Sequence, residues 1–393
     1  MTETVRQKAK PLANSPNMGQ VKGFRDYSGE EARKRKAILK IIEGTFERYG
    51  FEPAETPIIE QEDFVKGENR QDEAVSDIFK LQDKGKRKLA LRYEFTFQLK
   101  RLMKNKKLPY KRYQIGEVFR DEPVSSNRLR QFVQCDVDVV GSDIKSEAEI
   151  LALVNEIMNK LGIEPVILIN NRALLNEIMD DIGVKEKDRL QVLREIDKYD
   201  KIGEKEIRAN LKKFKVERIV NALMEGEDYF SKFRSYKDIL ELIKYCKIYG
   251  VKVLFSPTVV RGLSYYNGNV FEIKAKGVKE TLIGGGSYKF EGIQCTGISF
   301  GLDRISILAK VDDNKEKILI ISLNEDKEAI KIAGKLRAKG ETVSVYYGKP
   351  SKALEYANSY GYERAIFIGK EEVKKEKYKI KDMKTGKERE EKF

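Results

Sequence analysis

Arginines and acidic residues are concentrated in one segment that otherwise has the composition of two strands joined by a loop. Residues 118–140 read VFRDEPVSSNRLRQFVQCDVDVV, with Arg120 and Glu122 after the first strand and Arg128 before the second. A guanidinium at the end of an apolar strand can hold a phosphate through paired N–H donors. Arginines on both sides of a loop therefore favour a polyphosphate ligand. The alternative is a hairpin held by salt bridges, with Glu122 and Asp121 as the acidic partners.

A second candidate segment places an arginine before two adjacent tyrosines. It reads VVRGLSYYNGNVFE at 259–272 and contains Arg261, Tyr265 and Tyr266. Tyrosine hydroxyls bring a hydrogen-bond donor and acceptor to a flat apolar wall, which suits a planar polar ligand. The alternative is a pair of core tyrosines beside an exposed arginine.

A third candidate segment is rich in glycine. It reads IGGGSYKFEGIQCTGISFGLDRI, contains Gly284–Gly286 and places Arg304 in the first turn of the helix that follows. Consecutive glycines let the backbone approach a ligand closely. The spacing is neither that of a P-loop nor that of a dinucleotide-binding loop, so the glycines alone do not identify a ligand.

The 393 residues include no histidine. A Ser-His-Asp triad, a histidine general base and histidine metal ligands are therefore excluded. Any chemistry must depend on carboxylates, arginines, lysines, tyrosines, substrate groups or a hard cation. The three cysteines, Cys135, Cys246 and Cys295, lie far apart, which predicts neither a disulfide framework nor a zinc site and suits a reducing cytosol.

The chain is strongly basic, with a formal net charge of +14 and a pI near 9.3. Such a charge favours a nucleic-acid partner, because lysine and arginine displace counterions from phosphates. The surface of a heat-adapted protein has the same composition, so the charge alone leaves both interpretations open. No apolar run reaches the roughly 18 residues that a membrane span needs. The first twenty residues are typical of a polar tail, and we expect a cytoplasmic protein without a membrane partner.

Periodicity predicts the elements that position these residues. Ser28 and Glu31 predict a capping box at the start of a helix that Gly50 ends. The other predicted elements of this part are a strand leading into a helix at 88–103, strands at 112–120 and 130–141 around a loop at 121–129, a helix at 146–161, an almost wholly helical region from about 172 to 249, and strands at 251–260 and 267–277. From Lys317 onward, alternating strands and helices predict a small α/β domain with a mainly parallel sheet, which ends in an edge hairpin or a frayed terminus.

The candidate segments occur in the order of the sequence motifs of class II aminoacyl-tRNA synthetases. GFRDY with its helix and ETPIIE resembles motif 1, VFRDEPVSSNRLRQFVQCDVDVVG resembles motif 2, and GISFGLDRI resembles motif 3. Within this class, VVRGLSYYNGNVFE and LRYEFT are similar to segments of the histidyl-tRNA synthetase family. The resemblance covers residues 21 to about 385. It implies an α+β class II synthetase catalytic domain, an antiparallel sheet with helices, that carries a helical insertion and is followed by a C-terminal α/β anticodon-binding domain.

The resemblance also implies domain boundaries and a reaction. The expected segments are a polar tail at 1–20, the first part of the catalytic domain at 21–171, the helical insertion at 172–250, the second part of the catalytic domain at 251–314 and the anticodon-binding domain at 315–393. The implied activity is that of a histidine–tRNA ligase, which uses ATP and Mg²⁺ to make histidyl-adenylate and then transfers the histidyl group to the 3′ end of tRNA-His. Motif 1 builds the dimer interface in this class, so a homodimer is expected.

Residue roles follow from the matched positions. By resemblance, Arg120 holds the α-phosphate and the amino acid's carboxylate, Glu122 contacts the adenine, Arg128 contacts the β- and γ-phosphates, and Arg304 contacts the γ-phosphate. Arg261 matches an additional catalytic arginine, and the metal accompanies ATP rather than a set of side chains. For histidine, the matched residues are Glu94, Thr96 and Gln134 for the α-amino group, Asp138 and Tyr266 for the two imidazole nitrogens, and Arg261 and Tyr265 for the remainder of the pocket.

The chain departs from the family pattern at a few positions. The family usually has GGRYD where this chain has GGGSYK, with Ser287 and Lys289 in place of the arginine and the aspartate, and Ser264 stands where many members have aspartate. The principal alternative is a non-catalytic paralogue that regulates an enzyme of histidine biosynthesis. A synthetase for another amino acid is a further alternative, against which RGLSYYNG argues. A general nucleic-acid-binding protein would explain the charge but not the ordered motifs.

Overall fold

The structure is a computed structural model that describes residues 19–67, 73–125, 128–261, 265–311 and 316–392. The predicted polar tail at 1–20 lies almost entirely outside these residues. The chain divides into two compact units, Met1–Val311 and Asp312–Phe393.

The strands of the described residues are β1 (Glu52–Pro53), β2 (Ile59–Gln61), β3 (Lys80–Gln82), β4 (Lys88–Leu91), β5 (Tyr110–Phe119), β6 (Gln131–Val140), β7 (Pro165–Asn171), β8 (Val253–Phe255), β9 (Tyr266–Ala275), β10 (Ile283–Phe290), β11 (Ile293–Gly301), β12 (Lys317–Ser322), β13 (Thr342–Tyr347), β14 (Arg364–Ile368), β15 (Tyr378–Asp382) and β16 (Glu388–Glu391).

The helices of the same residues are α1 (Gly29–Arg48), α2 (Glu62–Lys66), α3 (Glu73–Ser76), α4 (Thr96–Leu102), α5 (Ile144–Lys160), α6 (Arg172–Ile182), α7 (Glu186–Ile196), α8 (Tyr199–Ile202), α9 (Glu204–Leu211), a 3-10 turn at Lys212–Phe214, α10 (Ile219–Leu223), α11 (Glu227–Ser231), α12 (Tyr236–Ile248), α13 (Leu302–Leu308), α14 (Asp326–Ala338), α15 (Pro350–Ser359) and α16 (Lys370–Lys375). Across the ranges that the structure describes, no helix is both long and apolar enough to cross a membrane.

The first unit is built around an eight-stranded sheet with the order β1-β5-β6-β11-β10-β9-β7-β8. Its interior strands pair antiparallel, and β1 and β8 add parallel pairs at the two edges. The predicted strands at 112–120 and 130–141 are confirmed as β5 and β6, each shifted by one or two residues. The predicted antiparallel sheet is therefore mixed, because both edge strands run parallel to their neighbours. A separate three-stranded sheet, β2-β4-β3, precedes α4.

The two faces of the large sheet differ in polarity because side chains alternate along a strand. On β6, Cys135, Val137 and Val139 are buried in the apolar core together with residues of α1 and α5. The alternate side chains of β6, Gln134 and Asp136 among others, point toward the opposite face. The apolar face thus fixes the register of a strand whose other face is polar.

The starts of two helices differ from the sequence prediction. The capping box predicted at Ser28 is wrong: Ser28 occupies the N-cap position of α1, but its side chain makes no capping hydrogen bond. Glu31 instead pairs with Arg25 at 2.9 Å, which draws its carboxylate away from the helix start. The helix predicted from 146 begins at Ile144, because Asp143 caps it and shares a capping box with Ser146. The predicted end of the first helix at Gly50 is confirmed by its left-handed backbone, with φ of +76°.

Helices α6 to α12 fill the region predicted to be helical. Their buried residues, such as Ile178 and Leu242, belong to the same apolar core as the strands of the large sheet. The division into compact units does not separate these helices from the rest of the first unit. The five-segment division of the chain stays a prediction.

The second unit has a five-stranded sheet with the order β13-β12-β14-β15-β16. The first three of these strands are parallel, and the remaining two pair antiparallel at the edge. The predicted α/β pattern with a mainly parallel sheet is confirmed, and the C-terminal residues form the edge hairpin rather than a frayed end.

A buried polar network joins α5 to the back of the sheet. Glu147 accepts hydrogen bonds from Asn269 Nδ2 at 2.6 Å and from the hydroxyl of Ser287. Asn269 in turn accepts from Asn171, the N-cap residue of α6, at 2.9 Å. All four side chains are buried. Burial raises the pKa of Glu147 to about 7, and the bonds from Ser287 and Asn269 oppose the rise.

Glu147→Gln is expected to stabilise the protein above neutral pH. The pKa of Glu147 is raised in the folded state, so the contribution of this residue to stability is full below its unfolded pKa of about 4.5, falls as pH rises and is lost above about 7. Glutamine removes the buried charge, and its oxygen can accept from Asn269 while its NH₂ donates to the hydroxyl of Ser287. The variant should therefore gain on the order of 2–3 kcal/mol in free energy of unfolding at pH 8 and little at pH 5. Urea denaturation from pH 5 to 8 measures the difference.

Glu164→Gln is the matched control. This exposed glutamate pairs with Lys276 at 2.8 Å, and surface pairs contribute only about 0–1 kcal/mol. A pH-independent difference between Glu147→Gln and the wild type would contradict the prediction.

Candidate active site

The candidate site lies on the polar face of the sheet, across β5, β6, β11 and β10. Glycines of β10 and β11 lie beside the polar side chains of β6, and Gly297 is the register partner of Asp138. A Cβ at Gly297 would overlap with the carboxylate of Asp138. Residue 297 must be glycine because the carboxylate of Asp138 occupies the space that a Cβ would fill.

Arg120 directs its guanidinium into this face from the end of β5. Its Nε donates to the carbonyl of Tyr93 at 3.1 Å, and its Nη2 donates to Gln134 Oε1 at 3.3 Å. The guanidinium also lies 5.2 Å from the ring centroid of Phe132. These contacts fix the plane of the guanidinium before any ligand binds.

Two arginines lie close to the carboxylate of Glu122, and a third, Arg304, lies within its electrostatic reach. Arg128 pairs with Glu122 at 2.9 Å, and Arg120 approaches the same carboxylate at 3.9 Å. Arg304 donates to the carbonyl of Thr281 at 3.3 Å. Burial lowers the pKa of Arg304, and the positive charges of Arg128 and Arg120 lower it further. This excess of positive charge is the electrostatic setting that a polyphosphate would relieve.

The salt-bridged hairpin considered as an alternative is also present. Arg130 pairs with Asp121 at 3.0 Å, and Arg128 pairs with Glu122. The acidic residues therefore neutralise the outer arginines, while Arg120 makes its hydrogen bonds inside the site. Arg128 belongs to both interpretations, because it pairs with Glu122 and lies within electrostatic reach of Arg304.

Glu94 and Thr96 lie where the chain enters α4. The carboxylate of Glu94 accepts a hydrogen bond from the backbone N–H of Phe97 at 2.9 Å. Burial raises the pKa of Glu94, while hydrogen bonds from Thr96 and Phe97 and the charge of Arg120 oppose the rise. The pair thus presents oxygen acceptors at a helix start close to Arg120.

Asp138 is buried and both of its oxygens are engaged. Arg112 pairs with Oδ2 at 2.7 Å, and the hydroxyl of Tyr288 donates to Oδ1 at 2.5 Å. Burial raises the pKa of Tyr288 well above its usual range, and the Asp138 carboxylate adds to the rise. Any ligand of Asp138 would meet a carboxylate whose charge is already balanced and whose position is fixed.

The tyrosines form a wall beside Asp138. The rings of Tyr265 and Tyr266 have centroids 4.8 Å apart, and Tyr265 meets Tyr288 edge-on at 5.3 Å. Burial raises the pKa of Tyr266, and the neighbouring Arg261 opposes the rise. The predicted core tyrosine pair and the predicted ligand wall are therefore the same residues.

Arg261 has an unusual backbone for a non-glycine residue, with φ of +61°. Its Nη1 lies 3.3 Å from Glu272 Oε1 on β9. A Cβ at Gly284 would overlap with this guanidinium. The glycine-rich strand thus gives Arg261 the space in which its side chain lies over the sheet.

The structure brings the predicted site residues together. Arg304 is within electrostatic reach of Arg120 and Arg128, and Tyr265 within reach of Glu94 and Asp138. Of the departures from the family pattern, Ser287 is buried behind the sheet and Lys289 is exposed. Ser264 lies outside the described residues.

Sequence reasoning missed four residues of the site. They are Arg112, Asp136, Glu272 and Tyr288. A signal for two of them was present, because Arg112 and Asp136 lie on the polar face set by the period-two alternation of β5 and β6. Arg112 was overlooked because it precedes the loop on which the charges concentrate.

Within the described ranges, no group of three or more Asp, Glu or Cys side chains could hold a metal ion. These side chains do not fit an all-protein magnesium site. A magnesium ion would reach this site as part of its ATP complex, held chiefly by phosphate oxygens and water.

Family models match most of the chain. A model described as histidyl-tRNA synthetase matches residues 23–305, and a model described as an anticodon binding domain matches residues 317–392.

Individual proteins agree with this match. Histidine–tRNA ligase 2 of Shouchella clausii is 32% identical over 411 positions, which cover 94% of this chain and 96% of that protein. The crystal structure of histidyl-tRNA synthetase from Nostoc sp. PCC 7120 aligns with a TM-score of 0.85 at 24% identity, covering 96% of this chain and 97% of that one.

A structure described as an ATP phosphoribosyltransferase regulatory subunit/histidyl-tRNA synthetase from Bacillus halodurans aligns with a TM-score of 0.78 at 23% identity, covering 91% of this chain and all of that one. At these identities the two structural likenesses show the fold alone. The predicted α+β class II synthetase fold and the predicted aminoacyl-tRNA synthetase class are confirmed. With its ordered motifs, its arginine-lined sheet face and these matches, the chain belongs to the histidyl-tRNA synthetase family.

Proposed function

We propose that this protein is a histidine–tRNA ligase that acts in the cytoplasm as a homodimer. It activates histidine with ATP and transfers the histidyl group to tRNA-His. The observation that carries the proposal is the arrangement of charge on one sheet face. Guanidiniums of Arg120, Arg128 and Arg304 lie within electrostatic reach of one another, and the buried acceptors Glu94 and Asp138 lie on the same face, with Glu94 within reach of Arg120.

In the first step, an oxygen of the histidine carboxylate attacks the α-phosphorus of ATP. A new O–P bond forms, the bond to the β-phosphate oxygen breaks, and pyrophosphate leaves. The carboxylate is already an anion, so no base is required, which agrees with a chain that lacks histidine. Catalysis then depends on orientation and on stabilising the charge that develops on the phosphate.

The arginines are assigned to that charge. Arg120, whose plane is fixed by Tyr93 and Gln134, would contact the α-phosphate and the amino acid's carboxylate. Arg128 and Arg304 would contact the β- and γ-phosphates, with Glu122 turning toward the adenine on ATP binding. Arg261 would contact the α-phosphate from the opposite side, and magnesium would arrive with ATP.

Histidine selection is assigned to the buried acceptors. Glu94, Thr96 and Gln134 suit an ammonium, which donates hydrogen bonds only to acceptors. Asp138 and Tyr266 would bond the two imidazole nitrogens, with Tyr265 and Arg261 closing the pocket. A site built to bond both nitrogens would reject analogues that lack them by about 10⁴-fold, because its buried polar groups would be left unpaired.

The second step requires tRNA. The match of residues 317–392 to an anticodon binding domain and the net charge of +14 support a tRNA partner. The regulatory-paralogue alternative has weaker support, because this chain keeps Arg120, Arg128, Arg261 and Arg304 together with a C-terminal α/β unit.

Pyrophosphate exchange tests the activation step. Purified protein with Mg²⁺ and labelled pyrophosphate should form labelled ATP in the presence of histidine and with none of the other nineteen amino acids. Charging of tRNA-His by the same preparation tests the transfer. Absence of exchange with every amino acid would contradict the proposal and favour the regulatory alternative. Exchange with a different amino acid would instead contradict the assignment of the pocket.

Gly284→Ala should impair activation without unfolding the protein. The new methyl group would occupy the space of the Arg261 guanidinium, which is the flexible end of a side chain and can move aside. Displacing a group that stabilises the transition state typically costs about 10²-fold or more in rate. The exchange rate with histidine is the measurement.

Gly334→Ala serves as the control. Gly334 lies in α14 with open space around it, so an added methyl group meets nothing. Its exchange rate should equal that of the wild type. An unchanged rate in Gly284→Ala would show that the position of Arg261 does not matter for activation.

A further inference from the structure

We propose that Asp136 is a positioning residue, which orients the side-chain amide of Gln134 so that its carbonyl oxygen faces Arg120 and the α-amino group of the amino acid. The proposal rests on the proposed function, because it concerns the histidine that the site would bind.

The amide of Gln134 is held at both ends. Its Nε2 donates to Asp136 Oδ2 at 2.9 Å, and its Oε1 accepts from Arg120 Nη2 at 3.3 Å. Gln134 and Asp136 are both almost fully buried, at 3% exposure each. The hydrogen bond between Gln134 and Asp136 is therefore shielded from bulk water.

Only one orientation of the amide satisfies these neighbours. A guanidinium offers donors only, and the carboxylate of Asp136, once ionised above its pKa of about 7, offers acceptors only. Turning the amide over would set its NH₂ against the guanidinium of Arg120 and its oxygen against the carboxylate of Asp136. Asp136 therefore determines that an acceptor, and not a donor, projects toward the amino-acid end of the site.

Asp136 has a second hydrogen-bond partner, Ser299, which is its register partner on β11. Oδ1 of Asp136 has no hydrogen-bond partner among the described residues. Its nearest opposite charge, Arg112, pairs at 2.7 Å with Asp138 instead. Burial raises the pKa of Asp136 to about 7, Arg112 limits the rise and Asp138 adds to it. Of its two hydrogen-bond partners, Gln134 is the one that contacts Arg120 and so links Asp136 to the site.

Asp136 and Asp138 differ in their hydrogen-bond partners. Asp138 has a cation and a tyrosine hydroxyl on its two oxygens, whereas Asp136 offers its bonded oxygen to a neutral amide. Asp136 does not touch the imidazole in the proposed arrangement and acts only through Gln134.

The test compares two ligands that differ in the α-amino group. Isothermal titration calorimetry measures the binding of L-histidine and of imidazolepropionate, its deamino analogue, to wild type and to Asp136→Asn. Asparagine can present either an oxygen or an NH₂ group, so the amide of Gln134 is no longer held in one orientation. We expect histidine binding to weaken by about five- to tenfold, as for a weakened hydrogen bond to a charged group. Binding of imidazolepropionate should change by less than about twofold, since it makes no such bond.

Asp143→Asn is the matched control. It makes the same chemical change at the N-cap of α5, where asparagine caps as well as aspartate does, and it should leave both affinities unchanged. Asp136→Ser, smaller and also polar, repeats the test if Asp136→Asn fails to fold.

Each outcome separates the two proposals. Equal weakening of both ligands, or no change in either, would overturn the positioning role while histidine-dependent exchange by the wild type still supports the ligase. Selective weakening in a protein that binds histidine but catalyses no exchange would support the positioning role and contradict the ligase. A wild type that binds neither ligand would contradict both.

Discussion

The buried ion pair between Arg112 and Asp138 is the interaction on which the site depends. Removing two charges from water is costly, and the attraction between them offsets that cost only when the remaining hydrogen-bonding groups also find partners. Here Tyr288 takes the second oxygen of Asp138, while Gln114 and the carbonyl of Phe95 approach the guanidinium at 3.4 Å. Only Nε of Arg112 has no hydrogen-bond partner among the described residues. The pair therefore joins β5, β6 and β10 through their side chains, in addition to the backbone ladder. The polar face of the sheet keeps its arrangement because these buried charges have few other groups with which they could pair.

Glycine makes this arrangement possible. The side chains of Asp138 and Arg261 lie over positions at which any other residue would place a Cβ. The sheet face is thus flat where the ligand is proposed to lie and charged around that area. Cations and buried acceptors lie together on this face, which matches a reaction between a polyphosphate and an amino acid.

Much of this could be predicted from the sequence, and the failures have physical causes. Strands β5 and β6, the helix α13 with Arg304 in its first turn and the α/β pattern after Lys317 follow from hydrophobic periodicity, which a single sequence reports well. The capping box at Ser28 failed because a competing partner for Glu31, Arg25, lies before the helix. Tyr288 was not identified, because its importance depends on which strands are neighbours. Pairing of β10 with β11, and of β11 with β6, is not encoded in local spacing.

Ser287 has a consequence for how related sequences are compared. Alternation along β10 directs Gly286 and Tyr288 toward the site and Ser287 away from it, to Glu147 on α5. The departure from the family pattern at this position therefore lies on the opposite side of the sheet from the proposed chemistry. When members of the family are sorted into catalysts and paralogues that have lost catalysis, residue 287 is a poor marker of the distinction. Residues 286 and 288, its neighbours on β10, lie on the side of the sheet that carries the proposed site and are better markers.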